Sequence, residues 1–163
     1  WLFAPKGCAF LWARDPARPV VHPTVISHGF DQGFTQEFDW VGTRDVTAWL
    51  SIGAAIGFHR SMGGVALQRR NHELVGEAAE LLASAWRTEV GVAEPMRGAM
   101  AIVLAPVQSD GSAGAAALHD QLWRDHRIEV PVIPLAGRLW LRISANVYNE
   151  IEDYQRLADA LTP

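Results

Sequence analysis

Apolar positions change their spacing several times along the chain, and each change predicts a different kind of structure. Residues 7–13 form an unbroken apolar run after a Pro5-Lys6-Gly7 turn, closed by Asp15-Pro16 and Arg18-Pro19, which predicts a short buried strand. Residues 20–42 show no helical period. Phe30, Phe34 and Phe38 stand there among polar residues and glycines, the pattern of a long functional or poorly ordered loop. Residues 46–60, with Asp45 as N-cap, are apolar nearly all round (Trp49, Leu50, Ile52, Ala54, Ala55, Ile56, Phe58), so a helix there is expected to be buried on most faces. Gly63-Gly64 ends it. A second helix over about 65–88 carries Leu74, Ala78, Leu81 and Ala85 beside Val75, Ala79, Leu82 and Trp86, with Arg69, Arg70, Glu73, Glu77 and Glu80 on a solvated face.

Beyond Glu94-Pro95 the spacing predicts a strand at 100–104, a helix at 113–126, strands at 130–133 and 139–144, and a last helix at 150–161. Asn149 with Glu152 three residues later reads as a capping box for that helix. Strands alternating with helices imply a small α/β layer sandwich. The expected organisation is an extended opening (1–45), two long helices (46–90) and a compact α/β unit (91–163), without internal repeats.

Composition narrows the class. The 163 residues are 49% apolar, enough for a real core, and the net charge is −4 with arginines scattered, so no basic stripe suggests a nucleic-acid partner. Each apolar stretch is interrupted before the roughly 18 residues that would suggest a membrane helix. The lone Cys8 cannot form an internal disulfide, which favours a reduced, cytoplasmic location. Thirteen of the fourteen basic residues are arginine; Lys6 is the one lysine. The chain opens on Trp1 without a polar leader, as expected of a piece cut from a longer protein.

Two places could carry chemistry. Arg142 lies in a strand pattern that puts Leu139, Leu141 and Ile143 on one face and Trp140, Arg142 and Ser144 on the other. A guanidinium held on a rigid strand offers a planar fork matching a carboxylate; the alternative is a surface arginine paired with a glutamate. Gly42-Thr43-Arg44-Asp45 stands at a helix entrance, where free N–H groups and the helix dipole favour an anion, or where Thr43 or Asp45 simply caps the helix. The six histidines and Cys8 show no metal-ligand spacing, so no metal site is expected. Ser27-His28-Gly29 lacks a nucleophile-elbow setting, and the glycines at 53, 57, 63 and 64 lack a dinucleotide fingerprint.

Four segments together resemble the class V aminotransferase group of fold-type I pyridoxal-phosphate (PLP) enzymes, nearest its isopenicillin N epimerase-like branch. They are Trp1-Leu-Phe-Ala-Pro-Lys-Gly-Cys-Ala-Phe-Leu, Asp39-Trp-Val-Gly-Thr-Arg-Asp-Val-Thr-Ala-Trp, Arg70-Asn-His, and Arg138-Leu-Trp-Leu-Arg-Ile-Ser-Ala-Asn-Val-Tyr-Asn-Glu. The resemblance implies the end of a large cofactor-domain sheet, two long interdomain helices and a small C-terminal α/β sandwich domain. In that family the Schiff-base lysine precedes the residue matching Trp1, so this chain would carry no catalytic lysine, and Lys6 matches a different position. The resemblance assigns Gly42 and Thr43 to the cofactor phosphate of a neighbouring subunit in a homodimer, and Arg142 to the substrate α-carboxylate. It implies an amino-acid substrate, with epimerisation, transamination and elimination all open. Ile143 to Asn149 contains no cysteine, which disfavours sulfur abstraction by a protein thiol but leaves a cysteine-conjugate lyase possible. A non-catalytic α/β dimerisation module is the alternative from another class. The chain alone is expected to be inactive and to expose apolar surface.

Overall fold

The computed structural model describes residues 1–15, 20–40 and 42–162. The breaks expected at Pro16 and Arg18-Pro19 lie outside them. The chain divides into two compact units, Trp1–His59 and Arg60–Pro163.

In the first unit, helix α1 (Phe34–Asp39) follows Gly33, and α2 (Thr47–Leu50) and α3 (Ile52–Ser61) follow in turn. The sequence showed no helical period for α1. Its Phe34 and Phe38 rings nevertheless pack one turn apart, with centroids separated by 4.9 Å. The strand expected at 7–13 is absent: a turn at Lys6-Gly7 leads into irregular backbone, and Phe10, Leu11 and Trp12 are exposed, Phe10 to 88%. A strand needs a neighbour for its N–H and C=O groups, and the described residues of this unit contain no other strand. The single helix expected at 46–60 is broken at Ser51, whose hydroxyl donates to the Ala48 carbonyl at 2.7 Å and competes with the helix's own bonding. The expected burial is also missing. Ala55 and His59 are buried, whereas Trp49, Phe58 and above all Leu50, at 81%, are exposed.

In the second unit, α4 (Val65–Trp86) starts after Gly63-Gly64 and ends at Arg87, which takes the left-handed conformation of a helix stop. Val75, Ala78, Ala79, Leu82 and Trp86 are buried along it and Leu74 and Leu81 partly so, which makes the two expected stripes its core face except at Ala85, which is exposed. Then follow β1 (Met100–Leu104), α5 (Gly111–Gln121) with a π-helical extension over Leu122–His126, β2 (Val132–Leu135), β3 (Arg138–Ser144) and α6 (Ile151–Leu161). The sheet is antiparallel in the order β1-β3-β2. Its β2 starts two residues later than the spacing suggested, because Pro131 has no N–H to give to the ladder. Ala136 and Gly137, both at positive φ, close the two-residue hairpin into β3.

Side-chain alternation sorts the sheet into two faces. Ala101, Val103, Leu139, Leu141 and Ile143 join residues of α4, α5 and α6 in one apolar cluster. Leu82, Leu122, Leu139, Leu141, Val75 and Val103 are its largest fully buried members, each stabilising by about 1.5–3 kcal/mol. Residues of the opposite face, including Ile102, Ile133, Trp140, Arg142 and Ser144, lie outside that cluster. The unit is a two-layer α/β sandwich with its helices on one side of the sheet. The α6 capping box is shifted by one residue from expectation, to Glu150 and Asp153. Asn149 is committed elsewhere, its Oδ1 accepting the Asn146 N–H at 3.0 Å.

Candidate functional site

Arg142 sits in β3 opposite Ile102 of β1, and its N–H donates to the Pro131 carbonyl at 3.0 Å. Its side chain is on the sheet face turned away from the helices and is exposed. Among the described residues its guanidinium has no hydrogen-bond or ion-pair partner, so the glutamate-paired surface arginine is not what the structure contains. Two positions earlier on the same face, Trp140 is buried, with the Arg138 guanidinium 5.1 Å from its ring centroid. A Cβ at Gly91 would collide with the Trp140 ring, so only glycine leaves room for it there. Arg138 in turn pairs with Glu89 at 2.7 Å. Of the two arginines on this face, Arg138 is therefore engaged and Arg142 is available to a planar anion.

Gly42 has φ +113, a conformation that favours glycine, and a Cβ there would meet nothing within 4 Å. Thr43 beside it is exposed, and among the described residues its hydroxyl has no partner. Asp45 does not begin a long helix as expected. Its carboxylate accepts the Thr47 N–H at 2.8 Å and the Thr47 hydroxyl at 2.6 Å. Those two bonds, the hydroxyl's first, hold its carboxyl below the usual carboxylate range. Because α2 is one turn long and Asp45 occupies a first-turn N–H, the dipole expected at this entrance is short. Open space at Gly42 and the free Thr43 hydroxyl are what an anion would use. A phosphate oxygen suits the Thr43 hydroxyl, so the donors at this entrance fit the phosphate of pyridoxal phosphate.

Other candidates have structural work. Cys8 is in irregular backbone, its thiol donating to the Pro5 carbonyl at 3.3 Å. His22 Nδ1 lies 2.7 Å from the buried Glu37 carboxylate, and the Ser27 hydroxyl donates to the Glu37 carbonyl at 2.8 Å, so the loop before Gly42 is tied across its base. His119 pairs with Glu129 at 2.9 Å. Among the described residues no group of three or more His, Cys, Asp or Glu is placed to hold a metal ion, and no helix is long and apolar enough to cross a membrane. Sequence reading missed Arg70. Instead of facing solvent on α4, its guanidinium is hydrogen-bonded to the carbonyls of Asn146 and Asn149. Its partners lie 76 and 79 positions away, beyond any local period.

No family model matches the chain. It is 35% identical to a putative L-cysteine desulfhydrase 1 of Oryza sativa subsp. japonica, over 99% of this chain and 38% of that protein. It is 33% identical to the isopenicillin N epimerase of Amycolatopsis lactamdurans, over 99% of this chain and 44% of that protein. Among solved structures, a cysteine desulfurase from Thermococcus onnurineus NA1 shares the fold with TM-score 0.70 at 18% identity, covering 99% of this chain and 44% of that one. An alanine–glyoxylate aminotransferase from Nostoc sp. follows with TM-score 0.54 at 19% identity, over 78% of this chain and 34% of that one. The chain thus spans about two-fifths of the length of these relatives. Over nearly its whole length this chain is homologous to the C-terminal portions of the class V, fold-type I enzymes that depend on pyridoxal 5′-phosphate.

Proposed function

We propose that these residues are the substrate- and phosphate-contacting portion of a PLP-dependent enzyme that modifies a small amino acid, with its active sites shared across a homodimer. Arg142 orients the substrate by a bidentate bond to its α-carboxylate. Gly42 and Thr43 receive the cofactor phosphate of the neighbouring subunit, the glycine leaving space and the threonine donating its hydroxyl. When bound, the cofactor supplies an electron sink for the carbanion left after an α-substituent departs. In this reading Lys6, the one lysine of these residues, is not the Schiff-base residue, and the 163 residues alone are expected to be inactive.

One observation carries this reading: a guanidinium on a paired strand, exposed and without a partner among the described residues, on the sheet face that the helices leave open. The test is Arg142→Ala in the full-length enzyme. The expected result is a raised KM for the amino acid with the cofactor retained; unchanged kinetics would return Arg142 to an ordinary surface role. Elimination from cysteine is a second reading, supported by the desulfhydrase relatives and by the lack of any cysteine between Ile143 and Asn149. Release of sulfide and pyruvate from L-cysteine would select it, and α-epimerisation without sulfide release would reject it.

A further inference from the structure

The end of β3 that bears Arg142 is held less completely than its beginning. Strand β2 accompanies β3 only as far as the Val132↔Leu141 pair, and the Arg142 N–H bond to Pro131 is the last backbone hydrogen bond on that side among the described residues. Ile143 and Ser144 pair with β1 alone. A strand segment bonded on one edge frays more readily, and a substrate-binding arginine needs its backbone fixed to a fraction of an ångström.

Two side chains stand where the missing strand would have helped. The Tyr154 hydroxyl of α6 donates to the Ser144 carbonyl at 2.6 Å. Arg70 of α4 spans the turn that follows: Nη1 donates to the Asn146 carbonyl at 3.2 Å, and Nη2 to the Asn149 carbonyl at 2.7 Å. Nη2 also lies 3.1 Å from the Glu150 carboxylate. The turn is closed within itself, since the Asn146 N–H donates to Asn149 Oδ1, the Val147 N–H to Asn146 Oδ1, and the Asn149 N–H to the Asn146 carbonyl. Being stiff, it passes a displacement at either end to the other. Asn146 and Asn71, which faces Nη1 at 3.5 Å, are both buried. A planar fork that satisfies two main-chain carbonyls and a carboxylate together is a task for arginine, which lysine performs poorly.

We infer that Arg70 is a positioning residue for Arg142: it locks the 146–149 turn to the long core helix and so fixes the one-sided end of β3 from which Arg142 reaches the substrate. The inference rests on the reading of Arg142 given above. It predicts that losing Arg70 impairs substrate capture more than turnover.

The experiment compares Arg70→Ala, Arg70→Lys, Arg142→Ala and Arg97→Ala in the full-length holoenzyme, by steady-state kinetics, cofactor absorbance and thermal unfolding. Arg97 is a suitable control because it makes a comparable clamp elsewhere, to the Val92 carbonyl at 3.2 Å and Glu80 at 3.3 Å. Arg70→Ala is expected to raise the KM for the amino acid about tenfold with kcat changed less than about twofold and cofactor absorbance intact. Arg70→Lys should recover only part of the loss, and added guanidinium ion should lower the KM of Arg70→Ala. Arg97→Ala should lower the unfolding temperature without moving KM. Equal KM effects from Arg70→Ala and Arg97→Ala, or no KM effect at Arg70 while Arg142→Ala raises KM, would overturn the inference alone. No effect at Arg142 would overturn the reading beneath it. Should Arg70→Ala fail to fold, Arg70→Lys carries the same comparison: a KM at the unsubstituted level with no response to guanidinium counts against the role.

Discussion

The two units are about equally rich in large apolar side chains, yet they use them differently. In Arg60–Pro163 a continuous cluster joins three helices to one sheet face, and Leu82, Leu122 and Leu141 are fully buried. In Trp1–His59, Phe10, Leu11, Trp12, Val25, Ile26, Trp40 and Leu50 are all exposed. An apolar pattern marks where a chain can be buried, whereas burial itself requires a surface to meet. The second unit supplies that surface from its own helices; the first does not supply it for these side chains. Relatives more than twice as long make the difference intelligible, because a surface for the first unit can come from elsewhere in such proteins.

The sharpest way to break this contrast is to empty one position in each unit. Leu82→Ala or Leu141→Ala should cost about 2–5 kcal/mol in denaturant unfolding, the range for truncating a buried leucine. Leu50→Ala in the same chain should stay within about 0.5 kcal/mol. Comparable losses at Leu50 and Leu82 would show that the first unit has a core after all. Next in size is Arg142→Ala in the full-length enzyme, where losing a charge-assisted bond of roughly 1.5–3 kcal/mol should raise KM at least tenfold while the cofactor stays bound. Asp153→Ala removes half of the α6 capping box and should cost about 1 kcal/mol by thermal or denaturant unfolding; an equal loss from Glu152→Ala would favour the register first expected from sequence.

A smaller effect concerns pH. His72 of the second unit has the Gly98 carbonyl 3.1 Å from Nδ1 and the Glu94 carboxylate 3.4 Å from Nε2, and only the imidazolium can donate to both. The Gly98 bond, followed by the Glu94 bond, raises its pKa above the ordinary 6.5. Its stabilising contribution is therefore complete below about pH 6.5 and is lost as pH rises through the higher folded-state value. Unfolding temperature should decline slightly over that interval, and less so in His72→Gln. An identical pH profile in the two proteins would remove His72 from the account. Finally, the isolated chain should associate through its exposed apolar groups, and polar replacements at Phe10 and Trp12 should reduce that association in sedimentation measurements without altering the second unit.

Legibility in the sequence followed the same division. The stripes of α4, strand β1 and the alternation in β3 that separates Arg142 from Leu141 were readable because their partners lie in the same chain and period alone sorts their faces. The start of β2 was displaced by Pro131, and the α6 cap by Asn149 being drawn into the preceding turn. The first shift reflects a missing N–H, and the second a competing local bond that composition does not rank. Residues 7–13 and 46–60 misled for a different reason. Their apolar content signalled burial, and the described unit provides no sheet for the first and little cover for the second.

For the candidate site, motifs pointed to Arg142, Gly42 and Thr43 one residue at a time. The availability of Arg142 beside an engaged Arg138 emerged only from the packing around Trp140 and Gly91. The grip of Arg70 was not legible, although the residue stood in a family-like segment, since nothing in a helical period distinguishes a solvated arginine from one that grips a turn 76 residues away. By itself the sequence determined the kind of each main element in the second unit and the sheet face on which Arg142 stands, because both are set by local backbone geometry. Tertiary structure decided which polar groups are already satisfied and which remain free for a ligand, because that depends on which distant segments meet.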